Sequence, residues 1–169
     1  MGNSKLKATK LIVGLPFNLG SLEIEPDEVE RVAAWELYVE LVTSITTQTI
    51  DPGEGVRRES LESLYYIFDV TRQILKRSGP AVAQGPNSFG AIAVEVLNKG
   101  IRPFLAEWHP KLRSYEERKV REDKYDWEYA DTFDLELANL QKQIMVYINV
   151  LAKIAGVSVV TTPDYPPSA

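Results

Sequence analysis

The sequence predicts a mainly α protein, a four-helix bundle with a small β appendage, and three observations carry that expectation. Four long segments are either apolar at the three-four spacing of one helix face or apolar almost all round. Helix-start and helix-stop residues bound each of them. Alternating or β-branched apolar runs occur only near the two ends, at 11–25 and 157–161.

Taken in order, Leu11 to Val13 and Ser21 to Glu25 read as two short strands. Gly14, Pro16, Asn18 and Gly20 punctuate the hairpin or broad loop between them. Pro26-Asp27-Glu28 starts a helix, because proline suits the first turn and acids there complement the dipole. That helix is expected to reach about Thr47. Trp35, Leu37, Tyr38, Leu41, Val42 and Ile45 give it an apolar arc wide enough to touch more than one neighbour. Asp51-Pro52-Gly53 breaks the chain, and a second helix runs from about Val56 to Ser78 on a stripe of Leu61, Leu64, Tyr65, Phe68 and Leu75. Gly79-Pro80 stops it.

The stretch from Asn87 to His109 is the expected centre of the domain. Between Phe89 and Leu97 its only charge is Glu95, and a helix that is apolar on every side must be surrounded. Asn87 or Ser88 caps it, and Gly90, Ala91 and Ala93 would admit a neighbouring backbone. From Pro110 to Asp131 both charges crowd together, a solvated crossover whose aromatics pack on the bundle or meet a partner. A last helix from about Phe133 to Ala155 carries Leu137, Leu140, Ile144, Ile148 and Leu151 at bundle spacing. Gly156 ends it, and 157–161 would form a strand joining the N-terminal pair. Residues 1–169 form one domain, with 1–10 and 162–169 expected to be loose.

Composition removes several chemistries. Hydrophobic residues at 44% and charged residues at 25% describe a folded globular chain. A net charge of −5 offers no general attraction to nucleic acid or anionic lipid. With no cysteine there are no disulfides, thiolate metal sites or cysteine nucleophiles. No apolar run approaches the roughly 20 residues of a membrane span, and with no signal peptide evident a cytoplasmic setting is the expectation. Phosphate-cradling glycine loops and a G-x-S-x-G elbow are absent. No cofactor or metal is expected.

The chemistry-bearing candidates are few. Arg102 and the single histidine, His109, pair fixed guanidinium donors with a side chain that titrates near neutrality. The plainer reading makes Trp108-His109-Pro110 a packed corner, its imidazole bonded to backbone. Glu36 with Glu40, and Glu59 with Glu62, stand one turn apart, a spacing that can hold a divalent cation, yet solvated helix faces explain them better. Trp108, Tyr115, Tyr125, Trp127 and Tyr129, interleaved with charge, form a candidate partner surface. Acids match bases there, which argues against single-stranded nucleic acid.

The spacing Arg102-x6-His109 resembles the motif of HEPN ribonucleases, which are also helical bundles. The resemblance implies a metal-independent ribonuclease: His109 as acid–base on a ribose 2′-hydroxyl, and Arg102 on phosphate charge, across a dimer. It covers two residues, and Pro103 stands where that family carries a polar one. The string at Glu59 resembles part of helical nucleotide pyrophosphohydrolases, whose second acidic motif is missing here. PDEVERVAAWELYVELVT, SLYYIFDVTRQILKRSGP and VLNKGIRPFLAEWHP look like segments of uncharacterised bacterial helical-bundle proteins, a similarity running from Leu11 to Gly156. It implies a bacterial intracellular protein of a defence or conflict system, with no activity attached. The expected function is therefore a non-enzymatic binding or assembly module with a protein partner or a homo-oligomer, and the alternative is the ribonuclease.

Overall fold

A computed structural model describes residues 10–44, 54–121 and 126–158. The chain is mainly α: four helical rods form a bundle, and a two-stranded hairpin packs against it. Strand β1 (Leu11–Gly14) pairs antiparallel with β2 (Ser21–Ile24), Leu11 opposite Ile24 and Val13 opposite Leu22. Val13 and Ile24 enter the core, while Ile12 faces solvent. Val157 and Ser158 are not a strand, and 159–161 lie outside the described residues, so the described sheet has no third member.

Helix α1 (Glu28–Val42) begins in a capping box. Asp27 Oδ1 accepts the Glu30 N–H at 2.8 Å, and Glu30 Oε2 accepts the Asp27 N–H at 2.9 Å. It ends at Val42, short of the expected Thr47. Thr43 turns its hydroxyl back onto the Val39 carbonyl at 2.7 Å, the competition that makes threonine a poor helix interior. Helix α2 (Glu54–Ser78) starts two residues earlier than expected and stops at Gly79. A 3-10 turn, Pro80–Ala83, follows.

The third rod has three parts: α3 (Phe89–Glu95), a π turn (Val96–Ile101) and α4 (Arg102–Lys119). Ser88 caps it by accepting the Ala91 N–H at 3.3 Å. Pro103 lacks a donor and its ring crowds the carbonyl one turn back. The wider π turn just before it, closed by the Arg102 N–H on the Leu97 carbonyl, accommodates both defects. Gly90 lets the rod touch the 3-10 turn, where a β-carbon would come 2.8 Å from the Val82 carbonyl. At Gly100 a β-carbon would sit 2.4 Å from the Phe17 ring. Phe17 itself has a positive φ of 58° and donates its N–H to Gln143 at 2.7 Å, which seats the hairpin tip between the π turn and the last helix.

Helix α5 (Ala130–Ala155) contributes the most side chains to the core, and its contact with α1 is the most extensive in the bundle. The expectation of a fully enclosed rod at Asn87 is corrected by the rod's own outer side. Phe89, Ile92, Ala93, Val96 and Leu97 are buried, but Val94, Asn98 and Lys99 form an outward side.

Tyr147 of α5 has the one buried side-chain polar atom without a hydrogen-bond partner among the described residues. Its burial raises the hydroxyl well above the ordinary tyrosine value of 10.0. Folding thus holds the neutral form, and this favourable term is lost as pH climbs past about 10, where the unfolded chain ionises. Tyr147→Phe keeps the ring and removes the orphan hydroxyl, so it should stabilise by about 1 kcal/mol at pH 7, or roughly 2–4 °C in melting temperature. Its advantage should widen above pH 10; a lower melting temperature than wild type would contradict the reading.

Candidate functional site

Three surfaces hold the candidate residues. The first is the ridge between α2 and α4, which run antiparallel. Arg102 lays its guanidinium 5.6 Å above the Phe68 ring. Two turns further along α4, His109 Nδ1 and the Tyr65 hydroxyl share a hydrogen bond of 2.9 Å, their rings 5.4 Å apart and nearly perpendicular. Next comes Arg58, whose Nε donates to Glu116 at 3.0 Å, and this bond holds the guanidinium above its ordinary value. Arg102 and His109 therefore share one side of α4, separated by a rise of about 10 Å.

The packed-corner expectation at Trp108-His109-Pro110 is corrected here. Helix α4 runs straight through all three residues, and the imidazole bonds a side chain, not backbone. Proline is tolerated inside this helix because Pro110 and Ala106, whose carbonyl it orphans, both face water.

The second surface was to be the aromatic set. Instead, Trp108, Tyr115 and Trp127 are buried, in a cluster completed by Phe104 and Phe133. Trp108 meets Phe133 at 5.3 Å and Trp127 at 6.0 Å, both edge to face, and its indole N–H donates to Glu136 at 2.7 Å. These three side chains pin the start of α5 to α4. Tyr129 is exposed, and Tyr125 lies outside the described residues. Lys111 lies 4.9 Å from the centres of both Trp108 and Tyr129, and Glu107 holds its ammonium above the ordinary lysine value. A groove of about 300 Å³ runs past Lys111, Arg118, Trp127 and Tyr129.

The candidate carboxylates separate. Glu36 receives Arg77, and Glu40 accepts the Tyr66 hydroxyl at 2.8 Å, which raises that tyrosine above its ordinary value. Glu40, Glu59 and Glu62 border a second groove of about 500 Å³ between α1 and α2. Among the described residues no group of them converges as metal ligands.

The third surface escaped residue-by-residue reading. On α1, Val32, Trp35 and Val39 are 48%, 46% and 37% exposed, large apolar side chains left on the outside of a helix whose inner side is fully buried. The signal in the sequence was the width of the apolar arc. Trp35 stacks on Tyr38 at 5.7 Å, which holds the indole flat along the helix surface.

Fold and surface together define a class: a helical bundle with a packed hairpin and a presented apolar helix face. This chain matches no protein-family model, no curated protein and no solved structure. Among the described residues, no helix is long and apolar enough to cross a membrane.

Proposed function

We propose that this chain is a non-enzymatic binding and assembly module that works through the outward face of α1. One observation carries the reading. Val32, Trp35 and Val39 stand in a row on solvent, although the same helix buries Ala33, Ala34, Leu37 and Leu41 behind them. Contiguous apolar side chains of this size mark interaction surfaces, and an exposed tryptophan is the residue type most able to anchor one. A bacterial defence or conflict setting, in an intracellular compartment, is the process the reading best suits.

A second reading, the metal-independent ribonuclease, keeps one supporting observation. Arg102 and His109 stand on the same side of α4, and neither forms an ion pair among the described residues. Against it, both groups are already engaged by rings of α2, and a rise of about 10 Å separates their backbones.

Two measurements divide the readings. Trp35→Glu should leave circular dichroism unchanged and cost about 1–2 kcal/mol of stability, from the lost stacking on Tyr38. It should also abolish association, whether seen by light scattering or by affinity capture. A wild-type chain that neither self-associates nor captures protein, or a variant that binds equally well, would overturn the module. The ribonuclease reading expects His109→Ala to abolish RNA cleavage while the melting temperature holds. Wild-type protein inert toward RNA removes it.

A further inference from the structure

The outward face of α1 has an ordered pattern. Val32, Trp35, Val39 and Val42 follow at intervals of three, four and three residues, the a-d-a-d seam of a coiled coil. Val32 and Val39 are β-branched residues at the a positions, and Trp35 and Val42 fill the d positions between and after them. Val42 is half-buried, and the other three are exposed. Toward the N-terminus the next d position is Glu28, where the seam stops.

The flanks are charged in a matching way. Arg31 stands immediately before Val32, at the g position, and Glu36 immediately after Trp35, at the e position five residues on. In a parallel pair, the g residue of one helix meets the e residue five further along its partner. Arg31 of each chain then faces Glu36 of the other. Both side chains are half-exposed on the flanks of the seam. Glu36 already receives Arg77 from its own α2, and a carboxylate has lone pairs for a second donor. An antiparallel pairing would set the two Arg31 flanks together and the two Glu36 flanks together, like charge against like.

We propose that the face is completed by a second copy of this chain, α1 against α1 in parallel about a two-fold axis, with two Arg31–Glu36 contacts flanking the seam. This rests on the module reading and specifies its partner. A seam of this length could not hold isolated peptides together, because short helices are marginal in water. Here the bundle has already ordered both helices, so pairing need not supply that cost. The face is small beside the roughly 1,200–2,000 Å² of a standard interface, which places the dimer in the weak, concentration-dependent class.

The chain has no cysteine, so single cysteines report pairing cleanly. Val32→Cys and Val42→Cys chains of distinguishable mass would be mixed in equal amounts and mildly oxidised. Sedimentation of wild-type protein over a concentration series would run alongside. Parallel pairing gives disulfides between like chains only, together with a dimer that dissociates on dilution and is lost in Trp35→Glu. Mixed disulfides between the two variants would overturn the parallel geometry. No disulfide, with wild-type monomer at every concentration, would overturn self-pairing itself. In that last case the module reading survives only if wild type, but not Trp35→Glu, still captures a different protein.

Discussion

The carboxylate of Glu30 ties the two halves of the bundle together. Buried to 7% exposure, it spends one oxygen on the Asp27 N–H at 2.9 Å and the other on the Phe89 N–H at 2.9 Å. Both amides open a helix, so one side chain satisfies orphan donors at the starts of α1 and α3 and sits at the positive end of both dipoles. Hydrogen bonds to a charged group contribute about 1.5–3 kcal/mol each, and the one to Phe89 joins residues 59 apart in sequence.

The same bond fixes how α1 is turned. Each helical residue advances about 100°, so Val39, nine residues beyond Glu30, points the opposite way. With Glu30 held inward, Ala33, Ala34, Leu37 and Leu41 must enter the core, and Val32, Trp35 and Val39 must face water. The presented face is thus a consequence of the core's geometry. At the other end of the molecule the aromatic cluster around Trp108 does comparable work, fastening the beginning of α5 onto α4. Between them, the hairpin tip closes the bundle with Phe17 on Gly100.

Much of this was legible in the sequence. Pro26-Asp27-Glu28 announced a helix start by its proline and acids, Ser88 and Gly156 marked helix ends, and the three-four spacing of Leu137 to Leu151 announced the buried face of α5. The errors have physical causes. Local rules end a helix at Pro110, but tertiary packing of Trp108, Leu112 and Tyr115 on one side outweighs a lost bond on the solvent side. That i, i+4, i+7 spacing was visible, and the density of charge around it concealed it. The link from Glu30 to Phe89 left no trace, because a glutamate at the third helical position looks the same whether it caps locally or also reaches across the fold. The face of α1 was visible as a wide apolar arc, yet only the structure separates its covered side from its bare one.

Amide hydrogen exchange at Phe89 tests the Glu30 constraint most directly. First-turn amides have no partner inside their own helix, so slow exchange there must come from Glu30 and the burial it enforces. The account predicts that the Phe89 amide in wild type exchanges as slowly as the core of α5. In Glu30→Ala it should exchange at least tenfold faster than those core amides, with a stability loss of about 3 kcal/mol. A Phe89 amide that exchanges freely in the wild type, or a Glu30→Ala chain that melts where the wild type does, would contradict it.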